Sequence, residues 1–152
     1  MTESNLIIPP DTYKELSDLK HSLKGYKNLR TPESQASYEK CLKNQDYLDE
    51  FRLKIEKDLK AQEDGILLKL NKFPYDFLLQ NIPETAHYVA WLSSSLDLGE
   101  YPEAKLQNKV FDKLNKLKEY NKIDFDFILW INNLQNQSVS YIRHAQVIAY
   151  KK

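Results

Sequence analysis

Three histidines occur in the chain, and one of them, His144, stands two residues before Gln146 in an apolar run, 142–150 (IRHAQVIAY). A bend rich in Asn, Gln and Ser comes just before it. Strand alternation puts Ile142, His144, Gln146, Ile148 and Tyr150 on one face, with Arg143, Ala145, Val147 and Ala149 on the other. The run 125–131 (FDFILWI) reads as a second strand, on which Ile128, Trp130 and Asn132 share a face. Antiparallel pairing of the two would bring Asn132 near the point where His144 enters its strand, with Ser138 and the bend's backbone N–H groups between. An imidazole, two amides, a hydroxyl and free donors can hold a phosphate, and an imidazole beside a phosphate can serve as nucleophile or proton carrier. The competing reading of His144 is a sheet histidine that hydrogen-bonds a neighbour and has no further role.

The remaining chemistry-bearing residues weigh differently. His87 lies in the strand-like run 86–94 (AHYVAWLSS), in phase with Val89 and Trp91. It reads as structural, with a site role if it faces His144. His21 sits among lysines on a helix and reads as surface. Trp91 and Trp130 read as core, the alternative being a base-stacking platform, with indole N–H groups that need partners. Phe73-Pro74-Tyr75-Asp76 reads as a fixed turn, the lesser alternative being Asp76 as a general acid or base. Arg143 faces away from His144 if its strand is regular. Cys41, on a helical apolar stripe, reads as inert core.

These residues need elements to position them. Residues 1–10, ending in Pro9-Pro10, are expected to be a flexible arm, followed by one domain over 11–152. Thr12 and Glu15 fit a capping box, and Leu16, Leu19, Leu23 and Tyr26 carry a helix to about Gly25. Thr31-Pro32-Glu33 is a second helix start, with Tyr38, Cys41 and Leu42 on its apolar face. Leu48, Phe51, Ile55 and Leu59 form another stripe, closed by Asp64-Gly65. Residues 11–70 thus form a helical half. Residues 72–85 hold two prolines and no period, and are expected to be a structured loop. The sheet half, 86–150, reads strand, helix (Leu106, Val110, Leu114, Leu117), strand, strand. The expected fold class is α+β, with N-terminal helices packed on a small antiparallel sheet.

Composition narrows the function. Lys plus Arg and Asp plus Glu number 22 each, so no net charge draws the chain to nucleic acid or an anionic membrane. One cysteine excludes an intrachain disulfide and a thiolate zinc cluster, which fits a reducing, cytoplasmic setting. No signal peptide or membrane span is expected. With three glycines, a glycine-rich phosphate loop is excluded, and no cofactor or metal is expected.

Two resemblances follow from these motifs. The stretch NNLQNQSVSYIRHAQVIA resembles the closing segment of the histidine-triad superfamily of nucleotide hydrolases and transferases. Its His-x-Gln form, His144-Ala145-Gln146, is similar to the galactose-1-phosphate uridylyltransferase branch. The likeness implies a nucleophilic His144, a phosphate contact from Gln146, and ribose and phosphate contacts from Asn132 and Ser138. Ile142 stands where the triad's upstream histidine would be. A broader likeness covers about residues 29–150. Arg30–Glu33, Tyr38, Phe73–Asp76, His87–Trp91, Trp130–Asn132, Gln137–Val139 and His144–Val147 are similar in order and spacing to the fungal N-acetylglucosamine-induced protein family, which carries a domain of unknown function. Tyr88 and Gln146 depart from its pattern, which favours Trp and His there.

The expectation is therefore a histidine-dependent phosphohydrolase or transferase acting on a nucleotide or sugar nucleotide. His144 would be catalytic, and Asn132, Gln137, Ser138, Gln146 and His87 would contact the ligand. The alternative is a non-catalytic module that binds a nucleotide or sugar phosphate, or a protein partner through the N-terminal helices.

Overall fold

The computed structural model describes residues 6–131 and 142–152. Four strands form one sheet: β1 (Ile66–Leu70), β2 (Thr85–Leu92), β3 (Phe125–Ile131) and β4 (His144–Lys151). Their order is β1-β2-β4-β3, and every neighbouring pair is antiparallel. β4 comes after the other strands in sequence yet lies between β2 and β3. Those two therefore run in the same direction, linked across β4 by α4 (Pro102–Lys116). The fold is α+β, as alternation in the three longer strands predicts.

The pleat sorts side chains into two layers. One face carries Ile66, Tyr88, Ala90, Leu92, Phe127, Leu129, Ala145, Val147 and Ala149. Leu106, Val110 and Leu114 of α4 lie fully buried against it. Spaced four residues apart, they make a single helical stripe. The other face carries Leu67, Val89 and Trp91 in one apolar cluster and Ile128, Trp130 and Ile148 in another. The N-terminal helices cover this face: α1 (Tyr13–Asp18), a 3₁₀ segment (Lys20–Gly25), α2 (Pro32–Leu42) and α3 (Gln45–Lys60). Leu16 and Leu23 complete one cluster, and Ile55 and Leu59 the other.

Helix starts follow the local chemistry. Thr12 caps α1 through a hydrogen bond from the Glu15 N–H, while the Glu15 carboxylate accepts from the Asp11 N–H. Thr31 caps α2, with Pro32 opening the helix. Asn44 caps α3. Among the described residues, no helix is long and apolar enough to cross a membrane.

Two expectations require correction. Residues 66–70, assigned to the helical half, are the edge strand β1, which pairs along its length with β2. Gly65, at φ +75°, turns the chain from α3 into it. Residues 6–10, expected to be part of a flexible arm, are tied to the body, while 1–5 lie outside the described residues. Ile7 is buried at 5% exposure among Leu16, Leu23 and Leu78. Its N–H donates to Asn28 Oδ1 at 2.6 Å, and its carbonyl accepts from Asn28 Nδ2 at 3.1 Å. One side-chain amide thus satisfies both backbone groups, as a neighbouring strand would.

Asn28→Ala is expected to free this segment. Amide exchange at Ile7 should quicken about tenfold or more, and stability should drop by about 1–2 kcal/mol. Unchanged protection in hydrogen-exchange mass spectrometry would show that apolar burial alone holds the segment.

Candidate functional site

On the helical face the two apolar clusters do not merge, and a cleft of about 380 Å³ opens along the seam between them. This is within the usual size range of small-molecule sites. Its floor is the sheet, where Trp91, Trp130, His144 and Gln146 line it. α2 and α3 form one wall. The 3₁₀ segment, the turn after it and the loop after β1 form the others.

A buried imidazole organises the floor. His87 Nδ1 accepts from the Tyr75 N–H at 3.1 Å, so Nε2 must carry the proton. Nε2 lies 2.6 Å from Gln146 Oε1 and donates to it. Gln146 is therefore held with its oxygen toward His87, and its NH₂ group has no partner among the described residues. Asn71 is fixed in a similar way: its Oδ1 accepts from the Phe73 N–H at 2.8 Å. Its Nδ2 lies 3.4 Å from His87 Nε2, a donor facing a donor, and so makes no hydrogen bond there. Burial lowers the His87 pKa from 6.5 to about 4, outweighing the Gln146 hydrogen bond, and the Arg30 charge pushes the same way. His87 is neutral at physiological pH.

His144 takes the opposite tautomer. Its Nδ1 lies 3.1 Å from the Ile142 carbonyl, which can only accept, so Nε2 keeps the lone pair. Burial lowers its pKa despite that hydrogen bond. Its ring lies 4.7 Å from that of Trp91, its cross-strand partner. The floor therefore presents amide donors at Gln146 and an imidazole acceptor at His144, all uncharged.

Charge stands on the wall and at the mouth. Arg30 sits between two rings, its guanidinium carbon 4.0 Å from the Tyr38 centroid and 4.9 Å from that of Tyr75. Its Nε donates to the Phe73 carbonyl at 2.7 Å, and no described residue accepts from its terminal nitrogens. Lys24, Lys27 and Lys72 are exposed at the mouth. Lys69, also lining, is paired with Asp58 at 3.2 Å. No Asp or Glu lines the cleft among the described residues.

The loop bearing Phe73 and Tyr75 is anchored by Asp76. Its carboxylate accepts from the Thr31 N–H (2.8 Å), the Thr31 hydroxyl (2.9 Å) and the Ser34 hydroxyl (2.6 Å). Burial opposes ionisation there, but these hydrogen bonds outweigh it and hold the pKa below the usual carboxylate value. Asp76 thus fixes a turn, as its motif suggests, and joins it to the start of α2.

Of the expected site residues, His144 and Gln146 line the cleft, and His87 lies behind Gln146 and orients it. Asn132, Gln137 and Ser138 lie outside the described residues. Cys41, expected in the core, is only half-buried and lines the cleft. Arg143 faces away from it and clamps the loop after β2 by donating to the carbonyls of Ser93 and Leu96. Sequence reasoning missed Arg30, Asn71 and the lysines of the mouth. Arg30 carried one signal, as one of three arginines beside an aromatic-rich pattern. Asn71 carried none. Among the described residues, no group of three or more His, Cys, Asp and Glu side chains could hold a metal ion.

No family model matches the chain, and no curated protein matches it either. One solved structure, described as the crystal structure of HTC1, superposes with a TM-score of 0.58 at 17% identity. The match covers 94% of this chain and 86% of that one. At that identity the likeness bears on the fold alone.

His87 is expected to remain in its neutral, Nε2-protonated form down to about pH 5 and to take a proton only near about 4. Because its folded pKa is depressed, the unfolded chain protonates first. The contribution to stability is then whole above about 6.5 and declines toward pH 4 at roughly 1.4 kcal/mol per pH unit. Long-range nitrogen–proton NMR reads the tautomer, and an imidazolium pattern at His87 near neutral pH would refute the assignment.

Proposed function

We propose that the cleft binds a phosphorylated small molecule that carries a ring: a nucleotide, sugar nucleotide or sugar phosphate. The observation that carries this reading is the lining, in which Arg30, Lys24, Lys27 and Lys72 stand among aromatic rings with no carboxylate among the described residues. Net charge is zero over the whole chain, so this is a local excess. Unopposed cations at the mouth of a concave site raise the local concentration of anions. Aromatic walls offer a planar ring a stacking surface.

The resemblance to the N-acetylglucosamine-induced family draws support from the same place. Its quoted motifs touch one another: Arg30 bonds Phe73, Asp76 holds Thr31, Tyr38 packs edge-on to Phe73, and Tyr75 bonds His87. Motifs far apart in sequence that meet around one cleft suit a shared binding site.

A thermal-shift series with nucleotides, sugar phosphates and sugar nucleotides tests this reading. The midpoint should rise with ligand concentration, by about 2.7 kcal/mol of stabilisation at 100 times Kd. The gain should shrink with added salt and in Arg30→Ala. No rise with any ligand at millimolar concentration would refute the reading.

The lone pair on neutral His144 favours a second reading, phosphoryl or nucleotidyl transfer. Nε2 would bond to phosphorus as the bond to the leaving-group oxygen breaks, with that oxygen keeping the electron pair. Water would then release the phosphoryl group. His144→Ala should abolish product formation while leaving the ligand-induced shift in place. Product formation equal to wild type would exclude this role.

A further inference from the structure

The polar groups of the cleft are graded by depth. At the floor, Gln146 and His144 are 6% and 5% exposed and carry no charge. Arg30 is half-buried on the wall, and Lys24, Lys27 and Lys72 are exposed at the mouth. A phosphate pressed against the floor would meet the His144 lone pair and no cation, after losing its hydration. Outward it would meet Arg30 on the wall and then the lysines of the mouth, while staying in contact with water. Desolvating a dianion without a paired charge is among the costliest placements available in a protein, so the ligand's charge belongs at the mouth. The floor suits a neutral planar group. Gln146 offers N–H donors fixed by His87, His144 two residues along the strand offers an acceptor fixed by Ile142, and Trp91 and Trp130 offer apolar surface.

We infer that the cleft takes a nucleobase ring-first, with a ring acceptor on the Gln146 amide, a ring N–H or amino group on His144 Nε2, and the phosphate outward on Arg30 and the lysines. This rests on the anion-binding reading above and deepens it. It makes the floor a reader of the base and assigns His144 to recognition, in opposition to the transfer reading. His87, which touches no ligand, is a positioning residue: its tautomer determines that Gln146 presents donors. A sugar phosphate without a base has nothing to place on the floor and should bind only at the mouth.

The chain's two tryptophans both line the floor, so their emission reports directly on what arrives there. The test combines calorimetry with tryptophan fluorescence, using AMP, GMP, UMP and CMP, the parent nucleosides, and ribose 5-phosphate. At least one nucleotide and its nucleoside should quench emission, while ribose 5-phosphate should bind without quenching. Gln146→Leu should weaken the quenching nucleotide about tenfold or more and leave ribose 5-phosphate unchanged. Lys24→Ala combined with Lys27→Ala should weaken both phosphate-bearing ligands and spare the nucleoside. If Gln146→Leu does not fold, the wild-type fluorescence comparison decides alone. Quenching by ribose 5-phosphate, or its loss of affinity in Gln146→Leu, would put the phosphate on the floor and overturn the inference. Nucleotides that bind without quenching would overturn it while sparing the anion-binding reading. Failure of every ligand to bind would overturn both.

Discussion

The site depends on how one buried imidazole is satisfied. His87 is 3% exposed, and each ring nitrogen of a buried histidine needs a partner or costs stability. One nitrogen takes the Tyr75 N–H and the other gives its proton to Gln146. Those two bonds join a strand, its central neighbour and a loop 12 residues upstream. Once Tyr75 is fixed, Phe73 and Asp76 follow. The Phe73 carbonyl then holds Arg30, and Asp76 holds the first turn of α2. The wall of the cleft is thus assembled outward from its floor.

Two histidines on one face of the sheet carry their protons on different nitrogens, each for a local reason. A backbone N–H aimed at Nδ1 leaves His87 a donor at Nε2, and a backbone carbonyl near Nδ1 leaves His144 an acceptor there. The same residue type contributes opposite hydrogen-bonding character at two points of the floor. Burial keeps both neutral, so the pattern does not blur through protonation at ordinary pH.

Much of the fold was legible because alternation and capping are local signals. The run 125–131 is β3 to the residue, and Thr31-Pro32 opens α2 as its chemistry demands. β1 escaped because ILLKL is short and apolar on both sides of its pleat, with only five residues, 61–65, separating it from a long helix. The fixed 6–10 segment escaped because its partner, Asn28, lies 21 residues away and no periodicity announces it. The site divides in the same way. His144 and Gln146 were readable from strand phase. Arg30 reaches Phe73 across 43 positions, and Asn71 acquires its meaning only from the turn that holds its oxygen. The long-range contact of Arg30 leaves no mark on the local pattern, and the bond that holds Asn71, to an amide two residues on, marks a turn and not a site.

The position of β4 has a consequence for synthesis. It is central in the sheet but follows every other strand in the chain. Until residues 144–151 leave the ribosome, β2 and β3 have no common neighbour, and each exposes an unpaired edge to anything nearby that can form a strand. The same eight residues bring His144 and Gln146. The nascent chain therefore acquires the sheet's middle and the floor of its cleft in one late step, and His87 stays without its Gln146 partner until then.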